Sequence, residues 1–86
     1  SWLDSGMFVQ SVMLAALEHG LATCPQVAWL PYHSIVRRHC GLDVGHTLVC
    51  GMAIGHPDPG AHINDFHTPR NAVESFLTSA GFTDQA

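Results

Sequence analysis

The chain has 86 residues, 47% of them hydrophobic, with five prolines and eight glycines, the size of a single domain and small for a free-standing enzyme. Three Lys+Arg against seven Asp+Glu give a formal charge of -4, and lysine is absent, so there is no basic face to follow a phosphate backbone and nucleic-acid binding is not expected. The apolar runs are broken by Glu18, His19 or a glycine before they reach the roughly 20 residues of a membrane span, and no secretory leader is visible, which predicts a soluble, cytoplasmic protein. Cys24, Cys40 and Cys50 are odd in number and lack a CxxC pair, so reduced thiols are expected in place of a disulfide framework.

The chain opens Ser1-Trp2-Leu3 without an initiator Met and runs directly into an apolar segment, as expected of the back part of a longer protein. Ser1 and Asp4 have capping-box spacing, and the residues from there to His19 predict one long helix closed by a left-handed Gly20. Its polar positions Asp4, Ser11 and Glu18 recur every seven residues on one narrow stripe, with apolar side chains over the rest of the circumference. Such a helix is buried nearly all round. At 1.5 Å per residue it is about 24 Å long, more than so short a chain can wrap, so other residues or a second subunit must cover part of it.

Residues 21–30 carry Cys24-Pro25-Gln26 and Val27-Ala28-Trp29, an irregular or short extended segment with partly unpaired backbone, because Pro25 removes a donor and restricts Cys24. Pro31 sits at a first helical position, and the segment to Cys40 predicts a short helix with Ile35 and Val36 inward and Arg37 and Arg38 toward water, ended at Gly41. The apolar run 47–54, bounded by Gly45-His46 and Gly55-His56-Pro57, has the pattern of a fully buried strand. Residues 56–68 form a longer loop of the kind that tends to carry function. Thr68-Pro69 opens a last predicted helix, with Val73, Phe76, Leu77 and Ala80 at i, i+3, i+4 and i+7 before Gly81. The tail from Phe82 onward carries no structural signal.

Seven histidines invite a metal reading, yet His33 and His39, six residues apart, point about 240° from each other on a helix, and no HExxH or paired CxxC supports a zinc site. GxSxG is missing, and Cys24 between apolar neighbours reads as packing. No side chain is assigned a catalytic role. Arg70 is more informative. In the first turn of a helix a cation is mildly unfavourable unless an anion lies nearby, and a helix start with an Arg fork suits a phosphate. The competing reading is an exposed Arg70 paired with Glu74 at i+4 or with nothing.

In order, D-x-G-x-x-x-Q-S-x-x-L-A-A-x-x-x-G-L, T-C-P-Q, C-G-M-A-I-G-H-P-D, Asn64 and Arg70 make the chain similar to the C-terminal part of the FMN-dependent nitroreductase family, over nearly its whole length. The resemblance implies an α+β fold, of which this chain would hold a long central helix, a short helix, a buried strand and a C-terminal helix, within an intertwined homodimer paired through the long helix. It implies residues 1–86 as the C-terminal portion of one domain whose N-terminal half, with its Arg- and Ser-rich phosphate segment, is not among them. It also implies bound FMN, reduction by NADH or NADPH, and ping-pong hydride transfer to nitroaromatic or quinone-like acceptors. Carried over by position, Pro25, Gln26, Val27 and Ala28 pass beside the isoalloxazine ring and offer a backbone N–H to its N5, and Arg70 meets the FMN phosphate. His67, three residues before Arg70, could add a second phosphate contact, but a solvated loop histidine is the favoured reading. Val27-Ala28 stands where many relatives have Gly, which narrows backbone freedom there. The alternative is a non-enzymatic dimerisation or interaction module built on the long helix, and a zinc-binding module ranks third.

Overall fold

Ser1 accepts a hydrogen bond from the Asp4 N–H at 3.3 Å and caps the first helix, α1 (Trp2–Glu18). In this computed structural model, which describes residues 1–82, α1 leads into strand β1 (Ala22–Gln26), a 3-10 turn (Leu30–Tyr32), helix α2 (His33–Cys40) and strand β2 (Gly51–Gly55). Two further 3-10 turns follow, His62–Asp65 and Val73–Ser75. No helix among the described residues is long and apolar enough to cross a membrane.

Both helices end as their glycines predict. At the end of α1, Gly20 N–H bonds Leu17 O and Leu21 N–H bonds Ala16 O, with Gly20 at φ 70. This is the Schellman arrangement, which satisfies two carbonyls and needs a left-handed residue. Gly41, at φ 69, does the same for α2 through Leu42 N–H to Arg37 O.

The half-buried positions of α1 are Ser5, Val9, Val12 and Met13, with Ala16 fully buried. They recur at helical spacing on one face, which packs against the sheet. Trp2, Leu3, Met7, Phe8, Leu14 and Leu17 stay exposed. The helix expected to be covered nearly all round is therefore covered by this chain along one stripe. The whole molecule repeats the pattern. Its accessible surface is 7823 Å², against about 5,000 Å² for a compact monomer of its mass, and its radius of gyration is 18.7 Å, against about 12 Å for a compact domain of its length.

β1 and β2 pair antiparallel over five rungs, from Ala22↔Gly55 to Gln26↔Gly51, with Pro25 opposite Met52. Of the two forms expected for this segment, irregular or short extended, residues 22–26 take the extended one. Each strand of a two-stranded sheet has one unpaired edge, where a proline costs no ladder bond. The strand expected over 47–54 is shorter, and it is not fully buried: Gly51 and Met52 are half-buried and Ala53, Ile54 and Gly55 exposed. β1 supplies only five rungs, so residues 47–50 run without a sheet partner. Gly51 is required where it stands, because a Cβ there would lie 2.5 Å from Trp29 Cδ1 and 2.9 Å from Trp29 Nε1.

Two expectations for the helices are corrected. On α2, Val36 is half-buried and Arg38 exposed as expected, but Ile35 is exposed and Arg37 half-buried, with its Nε enclosed and unpartnered among the described residues, because α2 packs chiefly on the turn before it and not on a broad apolar layer. The C-terminal helix over 68–80 does not form. Residues 73–75 make a 3-10 turn and Leu77 N–H reaches Val73 O at 2.9 Å, while Val73, Phe76 and Leu77 remain exposed. A short helix needs a surface to bury its apolar face against, and this segment docks on none of the other elements to any extent.

Two outcomes follow from this packing. Residues 1–86 prepared alone should associate in a concentration-dependent way in sedimentation velocity, since bare apolar area of this extent drives self-association, and a monodisperse 9.3 kDa species at every concentration would contradict it. Gly51→Ala in the full-length protein should cost about 1–3 kcal/mol through overpacking against the indole, measured by denaturant midpoint, and an unchanged midpoint would refute the contact.

Candidate functional site

Main-chain donors gather where β1 ends. After Gln26 the chain turns: Val27 O accepts from Leu30 N–H at 3.0 Å and Trp29 O from Tyr32 N–H at 2.9 Å. Neither the Val27 nor the Ala28 N–H makes a turn or loop hydrogen bond among the described residues. Pro25, Val27 and Ala28 are exposed and Gln26 is half-buried. Of the residues singled out by sequence, these four thus lie together, two on the final rungs of β1 and two in the turn beyond it.

The turn is tied down by a side chain that sequence reasoning overlooked. Trp29 donates its indole N–H to Gln26 Oε1 at 3.1 Å and lies over Gly51, the register partner of Gln26. With Ile35, Val36, His39, Leu48 and Cys50 it walls a cavity of about 410 Å³. A glycine inside a strand commonly marks a close approach, so Gly51 was the available signal for this contact. A larger apolar groove, about 720 Å³, opens between α1 and β2, with Phe8, Val9 and Val12 on one side and Val49, Met52 and Ile54 on the other.

Arg70 is not joined to this site within the chain. It lies on the extended arm after β2, where Nη1 donates to Thr68 Oγ1 at 2.5 Å and approaches Pro69 O at 3.5 Å. No helix begins there, so the expected contribution of a helix N-terminus is absent and the guanidinium alone remains. No ion pair with Glu74 forms among the described residues, whose recorded ion pairs are His46–Asp43 at 2.9 Å and His62–Asp65 at 3.6 Å. His67 is exposed. In the loop before it, Asp58 accepts from Gly60 N–H through Oδ1 and from Asn64 Nδ2 through its carbonyl oxygen, each at 2.9 Å. The described residues contain no group of three or more His, Cys, Asp or Glu placed to hold a metal ion.

Chemically, the turn can donate hydrogen bonds and shape a polar edge beside an apolar wall. It contains no acid or base of its own. Such a turn has hydrogen-bond donors to offer to a planar polar group.

Comparisons with known proteins agree with this architecture. The sequence profile of the Nitroreductase family matches residues 1–56. The chain is 40% identical over 82 residues to a 4-nitrobenzoate reductase of Pseudomonas putida, covering 95% of this chain and 36% of that protein. It is 36% identical over 78 residues to a chloronitrobenzene nitroreductase of Comamonas testosteroni, covering 91% and 34%. Among solved structures, the FMN and NADPH-dependent nitroreductase NfnB of Sphigopyxis sp. strain HMH superposes with a TM-score of 0.87 at 44% identity, over 94% of this chain and 36% of that one. The chain spans about a third of the length of the relatives it matches. With an α+β core of the same shape and a family match over most of its residues, the chain belongs to the nitroreductase family.

Proposed function

We infer that residues 1–86 are the C-terminal portion of a nitroreductase-type domain in a cytoplasmic FMN-dependent oxidoreductase, with the N-terminal half supplied by the rest of the protein. The observation that carries this reading is the pair of free N–H groups at Val27 and Ala28, held at the end of a strand directly after Pro25. Unpaired main-chain donors on a fixed turn suit the polar edge of an isoalloxazine ring, so the residues present fit that part of FMN. Bound FMN would supply the redox chemistry, taking hydride from NADH or NADPH and passing it to a nitroaromatic or quinone-like acceptor in alternate half-reactions.

The chain's own residues bind and orient. Donors fixed in advance, at Val27 and Ala28, stabilise negative charge that develops at the ring edge without reorganising when it appears. The Val27 and Ala28 side chains replace the freedom of a glycine and hold the turn to fewer conformations. Arg70 has no carboxylate partner among the described residues, which leaves its fork available to the FMN phosphate as a charge-assisted contact. Since the arm bearing Arg70 docks on no other element of this chain to any extent, its approach to the Gln26 turn requires another part of the protein or a second copy. A homodimer paired through the bare face of α1 would cover that face and shield the site from water. NfnB, which is FMN and NADPH-dependent by description, and the reductases of 4-nitrobenzoate and chloronitrobenzene support this assignment by likeness.

A non-enzymatic interaction module draws on the same bare α1 face, and one experiment separates the two. The full-length protein should purify yellow, or turn so with added FMN, with flavin absorbance. Arg70→Ala should weaken FMN binding by about 1.5–3 kcal/mol, roughly 10- to 150-fold in Kd, the range for a hydrogen bond to a charged group. A colourless protein indifferent to FMN, or an R70A variant that keeps all its partners and all its flavin, would remove the support for this reading.

A further inference from the structure

Trp29 and Gln26 form a side-chain pair that the main-chain contacts of the turn do not require. An indole N–H donates and cannot accept, so the Gln26 atom 3.1 Å from Trp29 Nε1 is the carbonyl oxygen Oε1. That contact decides which way the amide faces. With Oε1 engaged, Nε2 and its two hydrogens are turned away from the indole, and among the described residues they meet no acceptor. The indole is itself confined. Gly51 opposes Gln26 in the register and admits the ring only because it lacks a Cβ. Ile35, Val36 and Leu48 border the same cavity as the ring. Gln26 is half-buried and Trp29 is 49% exposed, so the pair sits at the lip of the turn. The rotamer freedom of a glutamine is thus restricted on folding, before any ligand arrives.

We propose that Trp29 is a positioning residue that presents Gln26 Nε2 as a fixed donor in the same turn as the free Val27 and Ala28 N–H groups. The proposal rests on the flavin reading of the site. The three donors together recognise an uncharged or delocalised acceptor edge, the carbonyl oxygens and ring nitrogens of a flavin-type heterocycle. No charged side chain lies in the segment 25–29, so the donors match a ring edge better than a phosphate, for which a guanidinium is the stronger partner.

The test uses the full-length protein with FMN as the probe, reading Kd and the two-electron midpoint potential of bound FMN. Gln26→Glu keeps an oxygen for the Trp29 N–H and removes both donor hydrogens. It should raise the FMN Kd by about tenfold and make the potential more negative, because a carboxylate at the ring edge disfavours the electron-rich reduced form. Trp29→Phe keeps an aromatic ring on Gly51 but loses the N–H; it should raise Kd by about 2- to 5-fold and shift the potential in the same direction. In a Gln26→Leu background, W29F should add nothing further, the sign of two residues acting as one unit. A purely structural role would lower the melting temperature without moving the potential. Wild-type Kd and potential in Q26E, or independent effects of W29F and Q26L, overturn the proposal, and Q26E decides the matter alone if W29F fails to fold. If the wild-type protein binds no FMN, the flavin reading fails and this one with it. If the wild type binds FMN and R70A weakens it while Q26E and W29F match wild type, only the Trp29–Gln26 proposal falls.

Discussion

The five-rung pairing of β1 with β2 is the constraint on which the rest of the molecule depends. Among the described residues it is the chief tie between the first 26 residues and everything after α2. α1 docks on β1, Trp29 is seated against the first residue of β2, and the donor-bearing turn begins on the rung where Gln26 meets Gly51. A slip of one residue in that register would place a different residue under the indole and reverse the facing of every strand side chain. The geometry of the turn is therefore set by a long-range pairing and not by local preference alone.

That pairing carries little hydrophobic support from within the chain. Ala16 is the one fully buried apolar residue among those described, and much of the apolar surface of α1 faces outward. Two strands and one flanking helix cannot form the two packed layers from which domains are ordinarily built. The missing layer has to come from residues outside this chain, from a second copy of it, or from both.

Local signals were legible in the sequence and long-range ones were not. Ser1, Gly20, Pro31 and Gly41 each act through the backbone of one turn, and the helix boundaries they mark agree with the structure to within a few residues. The order of short motifs identified the family and the α+β class without any structure. The helix expected over 68–80 shows the limit. Its apolar spacing is real, but spacing records what a segment could bury and not whether a partner surface is present. Pro25 left its segment open between irregular and short extended for a related reason: a proline argues against a strand only where both edges are paired, and which edges are paired is a property of the sheet. Trp29 was passed over because its role exists only once Gly51, 22 positions away in sequence, is brought beneath it. The grouping of residues 25–28 was readable because they are consecutive, whereas Arg70 lies on an arm that docks on no other element of this chain to any extent.

The Schellman closure at Gly20 has a consequence for how this chain can vary. With Leu21 N–H bonded to Ala16 O and β1 beginning at Ala22, the junction has no slack. One residue inserted into α1 ahead of that cap would swing the preceding turns by about 100° relative to the strand and carry Val9 and Val12 off the sheet. Length changes are thus barred at this corner, whereas the arm after β2 is held by no comparable docking within the chain. Natural variants of this protein should keep the helix-to-strand corner at a constant count.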